Sequence, residues 1–294
     1  MDLSAITITH EWLTAKCPMR PDNGHKGTFG RVLIYAGSEG MGGAAYMAAS
    51  SALSSGAGLV YVMTEKQLVT PLMTMCPEAL GIAIPEEKPE KDFSSVLSDK
   101  DACLMGPGIP KDRPDLERNI LTAAKEAKHL VLDAGALSLL SENRVVRASV
   151  SARKALGLSP AVLTPHLGEF KRILPSWQEG DMAGAGAFAE EKGVVLVLKS
   201  NETNIFTPDG KWYSNPKGNS GLAKGGSGDV LAGLLTGLLA QGMTEEDAAV
   251  CAVGIHSLAA EMCAAEHGKR AMRPTMLRDY YGKCFKMLKW EEGM

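Results

Sequence analysis

The sequence predicts an α/β fold in three layers: a mostly parallel central sheet covered by helices on both faces. Three observations predict it. Short continuous apolar runs, such as 31–36 (R-V-L-I-Y-A) and 194–199 (V-V-L-V-L-K), recur along the chain; strands buried on both faces read this way. Helix-length patterns separate these runs, as βαβ units require. Glycine-rich turns fall after Ala36, Met105, Asp133, Thr164 and Lys199. In open parallel sheets, ligands bind beyond the carboxyl ends of the strands, so turns converging on that edge mark a site.

Taken in order, residues 1–30 are polar and irregular. Residues 31–36 form a buried strand ending in G-S-E-G-M-G-G, and 44–55 a helix of small residues. A second strand covers 59–63. A helix starts at Lys66 and is broken near Pro71, because proline lacks the N–H and clashes with the preceding turn. The third strand is 80–84, and 85–91 is a charged loop containing proline. The run 102–105 ends in G-P-G-I, a helix covers 115–128, and a strand at 130–133 leads into D-A-G-A-L. Residues 161–164 are apolar and end in P-H-L-G-E-F; a helix follows at 179–192. After the strand 194–199, a hairpin pairs 204–206 with 211–213 around P-D-G. A glycine-rich turn opens a helix that reaches Gln241, a second helix covers 244–265, and a last one starts at Thr275. No composition shift or repeat divides the chain, so one domain over 1–294 is expected.

Composition narrows the function. Net charge is −3, aromatic residues make up 5%, and no basic block occurs; nothing points to nucleic acid. The six cysteines form no C-x-x-C pair, which fits reduced structural thiols in a cytoplasmic protein. The N-terminal residues do not read as a signal peptide. No run of about 18 apolar residues suggests a membrane span. Walker, dinucleotide-fingerprint, zinc and G-x-S-x-G patterns are all missing.

The strongest positive signal is N-S-G-L-A-K-G-G-S-G-D-V-L-A-G, residues 219–233. Glycines that open a helix present backbone N–H groups and the positive end of the helix dipole, which attracts phosphate. Asp229 in the first turn is then either a dipole partner or a group set beside phosphate for chemistry. His166, just past a strand, is either structural or a ligand contact. Lys199 ends the clearest strand, and Thr203 beyond it can donate to phosphate. Gly106-Pro107-Gly108 is a tight turn or a close approach to a ligand. The 41–45 helix start is equally explained by close helix packing. Asp133 is a ligand or an N-cap.

In order, K-G-T-F-G, L-I-Y-A-G-S-E-G-M-G-G-A-A, G-P-G-I, D-A-G-A-L, L-T-P-H-L-G-E-F, V-L-K-S-N-E-T and the 219–233 turn resemble the ADP- or ATP-dependent NAD(P)H-hydrate dehydratases. These are metabolite-repair enzymes with a ribokinase-like fold. The resemblance spans about Lys26 to Gly242. It implies a hydro-lyase that phosphorylates the ring hydroxyl of the S epimer of hydrated NADH or NADPH from ADP or ATP, with Mg²⁺, and then eliminates phosphate. ADP is the expected preference. It implies Asp229 as the base on the hydroxyl and Gly226, Ser227 and Gly228 as the anion hole. Ala45, Gly108 and His166 would contact the hydrated dinucleotide. Lys199, Ser200, Asn201, Glu202 and Thr203, with Gly228, would hold the adenine nucleotide; no metal-ligating side chain is assigned. It further implies a single domain with residues 1–25 as a short extension, no fused epimerase domain, a separate epimerase as partner, and a homo-oligomer such as a tetramer. The chain departs from the family pattern at Leu167, where proline often follows the histidine, and at Ser200, where glycine often follows the lysine. Two alternatives share the turn chemistry: a vitamin-precursor kinase of the same fold, and a non-catalytic nucleotide sensor.

Overall fold

The computed structural model describes residues 4–18, 20–85 and 93–291. In chain order the strands and helices are β1 (Ile6–Thr7), α1 (His10–Thr14), β2 (Arg31–Tyr35), α2 (Gly42–Ser54), β3 (Leu59–Thr64), α3 (Lys66–Met75) and β4 (Leu80–Ala83). Next come α4 (Phe93–Leu97), β5 (Ala102–Met105), α5 (Leu116–Glu126), β6 (His129–Leu132), α6 (Gly135–Glu142), α7 (Arg144–Ser151), β7 (Val162–Leu163) and α8 (Leu167–Ile173). The chain continues through α9 (Met182–Lys192), β8 (Val195–Leu198), β9 (Thr203–Phe206), β10 (Trp212–Asn215), α10 (Ser227–Ala240), α11 (Glu245–His267), α12 (Pro274–Leu277) and α13 (Tyr281–Met287).

The sheet order is β1-β10-β9-β8-β7-β6-β5-β2-β3-β4. All neighbours pair in parallel except where β9 meets β8 and β10, so among the described strands β9 alone runs against the rest. Successive residues of β2 show why both faces are covered. Val32 and Ile34 join Ala48, Leu234 and Ala252 on one side, while Leu33 and Tyr35 join Ile120, Leu137 and Phe170 on the other. Alternate side chains of a strand point to opposite faces, and apolar residues at both parities therefore require helices on both.

Four readings of the sequence need correction. Residues 1–30 are not wholly irregular: β1 adds to β10 in parallel, and Ile8 and Leu13 are buried in the core. Two exposed strand residues carry no pattern from which to read this pairing. Pro71 does not break α3, which runs on to Met75 with Pro71 inside it; Pro71 is exposed, so the carbonyl it leaves unpaired can turn to water. The C-terminal helix is not continuous from Thr275 but divides into α12, a 3₁₀ turn over Arg278–Tyr280, and α13. Finally, α11 is long and apolar enough to cross a bilayer by length and composition, and 78% of its apolar window is buried inside the fold. It is a core helix packed against α10. The predicted loop at 85–91 lies, beyond Pro85, outside the described residues.

The layer of α2, α10 and α11 positions the site. Ser51 Oγ of α2 donates to Val230 O at 2.6 Å, tying the first turn of α10 to its neighbour. That first turn sits over the carboxyl edge of β5 and β6, where the glycine-rich turns converge.

Candidate active site

α10 begins because Gly226 can take φ +98°, a left-handed conformation that costs a side-chain-bearing residue about 1–3 kcal/mol. There is also little room for a side chain, since a Cβ at Gly226 would lie 2.3 Å from Met47 Sδ. The turn leaves the first N–H groups of the helix without intrahelical partners. Among the described residues the Gly228 N–H has no carbonyl partner, while the Ser227 N–H reaches back to Lys224 O at 3.3 Å, a bond long enough to yield to an anion. Ser227 Oγ is buried and unpaired beside them.

Asp229 is mostly buried here, and burial together with the charge of Asp133 pushes its carboxyl up to about 6, with Lys199 acting in the opposite direction. Asp133 does not cap a helix: the residue at that position is Ala134, with φ +46° and no side-chain cap bond. Instead Asp133, 2% exposed, accepts from Lys199 Nζ at 2.9 Å. Burial works against the charge on Lys199, but Asp133, Glu169 and Asp229 outweigh it and hold the ammonium above its ordinary range. A Cβ placed on Gly228 would meet Lys199 Nζ at 3.0 Å, so the ammonium lies over the helix start. β7 stands between β6 and β8, separating their ends by about 10 Å. A lysine stem crosses that gap.

This ion pair is the component that sequence reasoning missed. The two residues were noted separately, and the signal that connects them is positional: opposite charges ending two buried parallel strands one place apart.

His166 is the N-cap of α8. Its Nδ1 accepts from Gly168 N at 3.0 Å and Glu169 N at 3.3 Å, and Glu169 Oε2 accepts from His166 N at 2.9 Å. This reciprocal box supplies the structural role weighed in the sequence. With Nδ1 engaged as acceptor, the neutral ring carries its proton on Nε2. The side chain is 57% exposed, so that edge remains accessible. Leu167, at the family's proline position, opens α8 without disturbing the cap.

A cavity of about 620 Å³ is lined by His166, Lys199, Ser200, Asn201, Thr203, Ser227 and Gly228, and continues to Asn219, Leu231 and His256. It thus brings most of the expected nucleotide residues together with His166, which the sequence placed on the dinucleotide side. Glu202 does not line it: its carboxylate accepts from Ser214 Oγ. Ser200 turns its hydroxyl onto Glu202 O at 2.6 Å, within the turn that links β8 to β9. Ala45 and Gly108 lie outside the cavity, farther along the sheet edge. The Ala45 methyl is buried, 3.0 Å from where a Cβ on Gly37 would be. Gly108 packs against Met41 and Ala44. Between the two regions, Gly106 at φ +117° docks on Asp133, whose carbonyl would sit 2.0 Å from any Cβ there. Asp133 thus joins the two regions, its carbonyl against the Gly106 turn and its carboxylate on Lys199, which lines the cavity.

Such a site can bind phosphate at a helix start, balance its charge with Lys199, and offer a carboxylate titrating near neutrality to a hydroxyl. Among the described residues no group of three metal-ligating side chains forms. A donor set of two carboxylates fits a Mg²⁺ ion held chiefly by substrate phosphates and water.

The sequence profile of the NAD(P)H-hydrate dehydratases matches residues 32–283. A bifunctional NAD(P)H-hydrate repair enzyme from Moorella thermoacetica is 35% identical over 93% of this chain and 52% of its own length; the chain spans about half the length of the first curated relatives it matches. An ADP-dependent (S)-NAD(P)H-hydrate dehydratase from Lactiplantibacillus plantarum is 34% identical over 88% of this chain and 89% of its own. The crystal structure of the ADP/ATP-dependent dehydratase of Bacillus subtilis, co-crystallised with ATP and Mg²⁺, superimposes with a TM-score of 0.82 at 30% identity, covering 98% of this chain and 99% of that one.

Proposed function

The chain belongs to the NAD(P)H-hydrate dehydratase family, and on that premise we propose that it restores NADH and NADPH from the S epimer of their hydrates, using ADP or ATP. The observation that carries the reading is the pairing of a phosphate-binding helix start with Asp229, whose carboxyl is raised to about 6 by burial and by Asp133. A base titrating there is ionised at neutral pH and still basic enough to accept a hydroxyl proton.

In the proposed reaction, Asp229 takes the proton of the ring hydroxyl as its oxygen attacks the terminal phosphorus of the nucleotide. The bond to AMP, or to ADP when ATP is used, breaks. The N–H groups at the start of α10 and Ser227 Oγ face the charge on the moving phosphoryl group, and Lys199 adds a cation held in place by Asp133. The ring nitrogen then pushes phosphate out as the C–O bond breaks, leaving an iminium, and the neighbouring ring carbon gives up a proton to the departing phosphate or to water, which restores the carbon–carbon double bond. Bound Mg²⁺ would neutralise phosphate charge, with Asp133 and Asp229 the carboxylates facing it. The cavity floor and Lys199–Thr203 take the nucleotide, and the Gly108 turn with Met41 forms the side toward the hydrated ring.

We place the activity in the cytoplasm, where the six cysteines stay reduced. We further propose that the chain acts as one domain, assembles as a homo-oligomer, and receives the S epimer from an epimerase. The repair enzyme of Moorella thermoacetica, described as bifunctional, supports that last coupling.

The test is recovery of NADH absorbance from the S hydrate with Mg²⁺ and either ADP or ATP. Recovery that requires the nucleotide supports the proposal. No recovery with either nucleotide refutes it, and a phosphorylated product that accumulates would indicate a kinase instead.

A further inference from the structure

The cavity contains a group that the proposed chemistry leaves without a task. His256, on α11, is 6% exposed and lines the cavity wall with Leu222, Leu231 and Val253. Its Nδ1 is buried with no partner, and among the described residues no protein group hydrogen-bonds either ring nitrogen. Its neighbour Ser257 is already engaged, accepting from Asn215 Nδ2 at 2.7 Å. Native structures seldom leave a buried polar side chain unsatisfied without a reason, and a ligand in the cavity is one. Gly228, Ser227 and Lys199 answer the phosphates in the proposed reaction, and His256 lines the same cavity without a part in it.

We propose that His256 is a specificity-determining residue that hydrogen-bonds the edge of the nucleobase of the bound nucleotide. The apolar side chains around it suit a flat ring, and a neutral imidazole offers one donor and one acceptor to it. Burial and the nearby Lys199 charge push His256 down to about 4, so it is uncharged at neutral pH and poorly matched to phosphate. The proposal rests on the nucleotide reading of this cavity.

Calorimetry tests it with wild type, His256→Leu and His256→Asn, titrated with ADP, GDP, ribose 5-phosphate and inorganic pyrophosphate. His256→Leu is expected to weaken ADP about tenfold, as the loss of one hydrogen bond in a desolvated site implies. It should also narrow the preference for ADP over GDP, leave both base-free ligands unchanged, and leave the KM for the hydrated dinucleotide unchanged. His256→Asn, which keeps a donor and an acceptor, should recover part of the ADP affinity. Thermal melts separate misfolding from lost contact. Equal ADP affinity in wild type and His256→Leu, or an equal loss with the base-free ligands, would overturn the role of His256 alone. Failure of the wild type to bind any adenine nucleotide would overturn the reading of the cavity itself.

Discussion

Replacing Asp229 by Asn distinguishes the two roles an acid can have at the start of α10, because they predict opposite signs for stability. If Asp229 were chiefly a helix-dipole partner, losing its charge would destabilise the fold by about 0.3–1 kcal/mol. The structure predicts the reverse. The carboxyl titrates at about 6 in the fold against 3.8 in the unfolded chain, and each unit corresponds to about 1.4 kcal/mol. A raised carboxyl favours the fold below its unfolded value, and that contribution is lost as pH rises through the folded value. Above about pH 6 the ionised Asp229 therefore costs the fold about 2–3 kcal/mol. Asp229→Asn should be more stable by that amount at about pH 8, and the advantage should vanish by about pH 3. Turnover should fall by about 10²–10⁴, the usual contribution of a positioned base, with nucleotide binding retained. Denaturant unfolding at the two pH values, together with NADH recovery, measures both. A variant destabilised at about pH 8, or one turning over within about threefold of wild type, would refute the base assignment.

The remaining predictions follow from the same geometry. Wild-type kcat should rise with pH through an apparent value near 6, as Asp229 loses its proton; a flat profile between about pH 5 and 8 would contradict this. Lys199→Met leaves Asp133 buried without its partner and should cost about 3–5 kcal/mol by chemical denaturation. Adding Asp133→Leu to it should restore much of that stability while activity stays lost. Gly226→Ala forces an alanine to φ +98° and should lower stability by about 1–3 kcal/mol and reduce phosphate binding. His166→Ala removes the cap on α8 and should cost about 1 kcal/mol, which His166→Asn should largely restore because asparagine caps well.

Much of the architecture was legible because buried parallel strands announce themselves as short apolar runs. Strands β2, β3, β5 and β8 fall where such runs stand, and α10 starts at the glycines that permit its turn. Some short elements were not legible. β1 has two residues, and α7 spans barely two turns, too few for a period to show. Pro71 misled because its effect depends on which carbonyl it orphans, and exposure of that carbonyl is a property of the fold. At the site, Asp229 and Lys199 could be read as candidates from their turns, but the link between Lys199 and Asp133 joins residues 66 positions apart and exists only once β6, β7 and β8 are ordered. His256 was invisible for a similar reason: within α11 it reads as one polar residue in an apolar helix, and only the cavity beside it gives its unpaired nitrogen meaning.

The central claim is that the ring hydroxyl itself attacks the nucleotide phosphate with Asp229 as base. Its most direct test uses the S hydrate of NADH carrying a heavy oxygen isotope in that hydroxyl. After turnover with unlabelled ADP and Mg²⁺ in ordinary water, the label should appear in the inorganic phosphate released, one labelled phosphate for each NADH restored. Label recovered in water, with none in phosphate, would show that the hydroxyl leaves without being phosphorylated and would contradict the account.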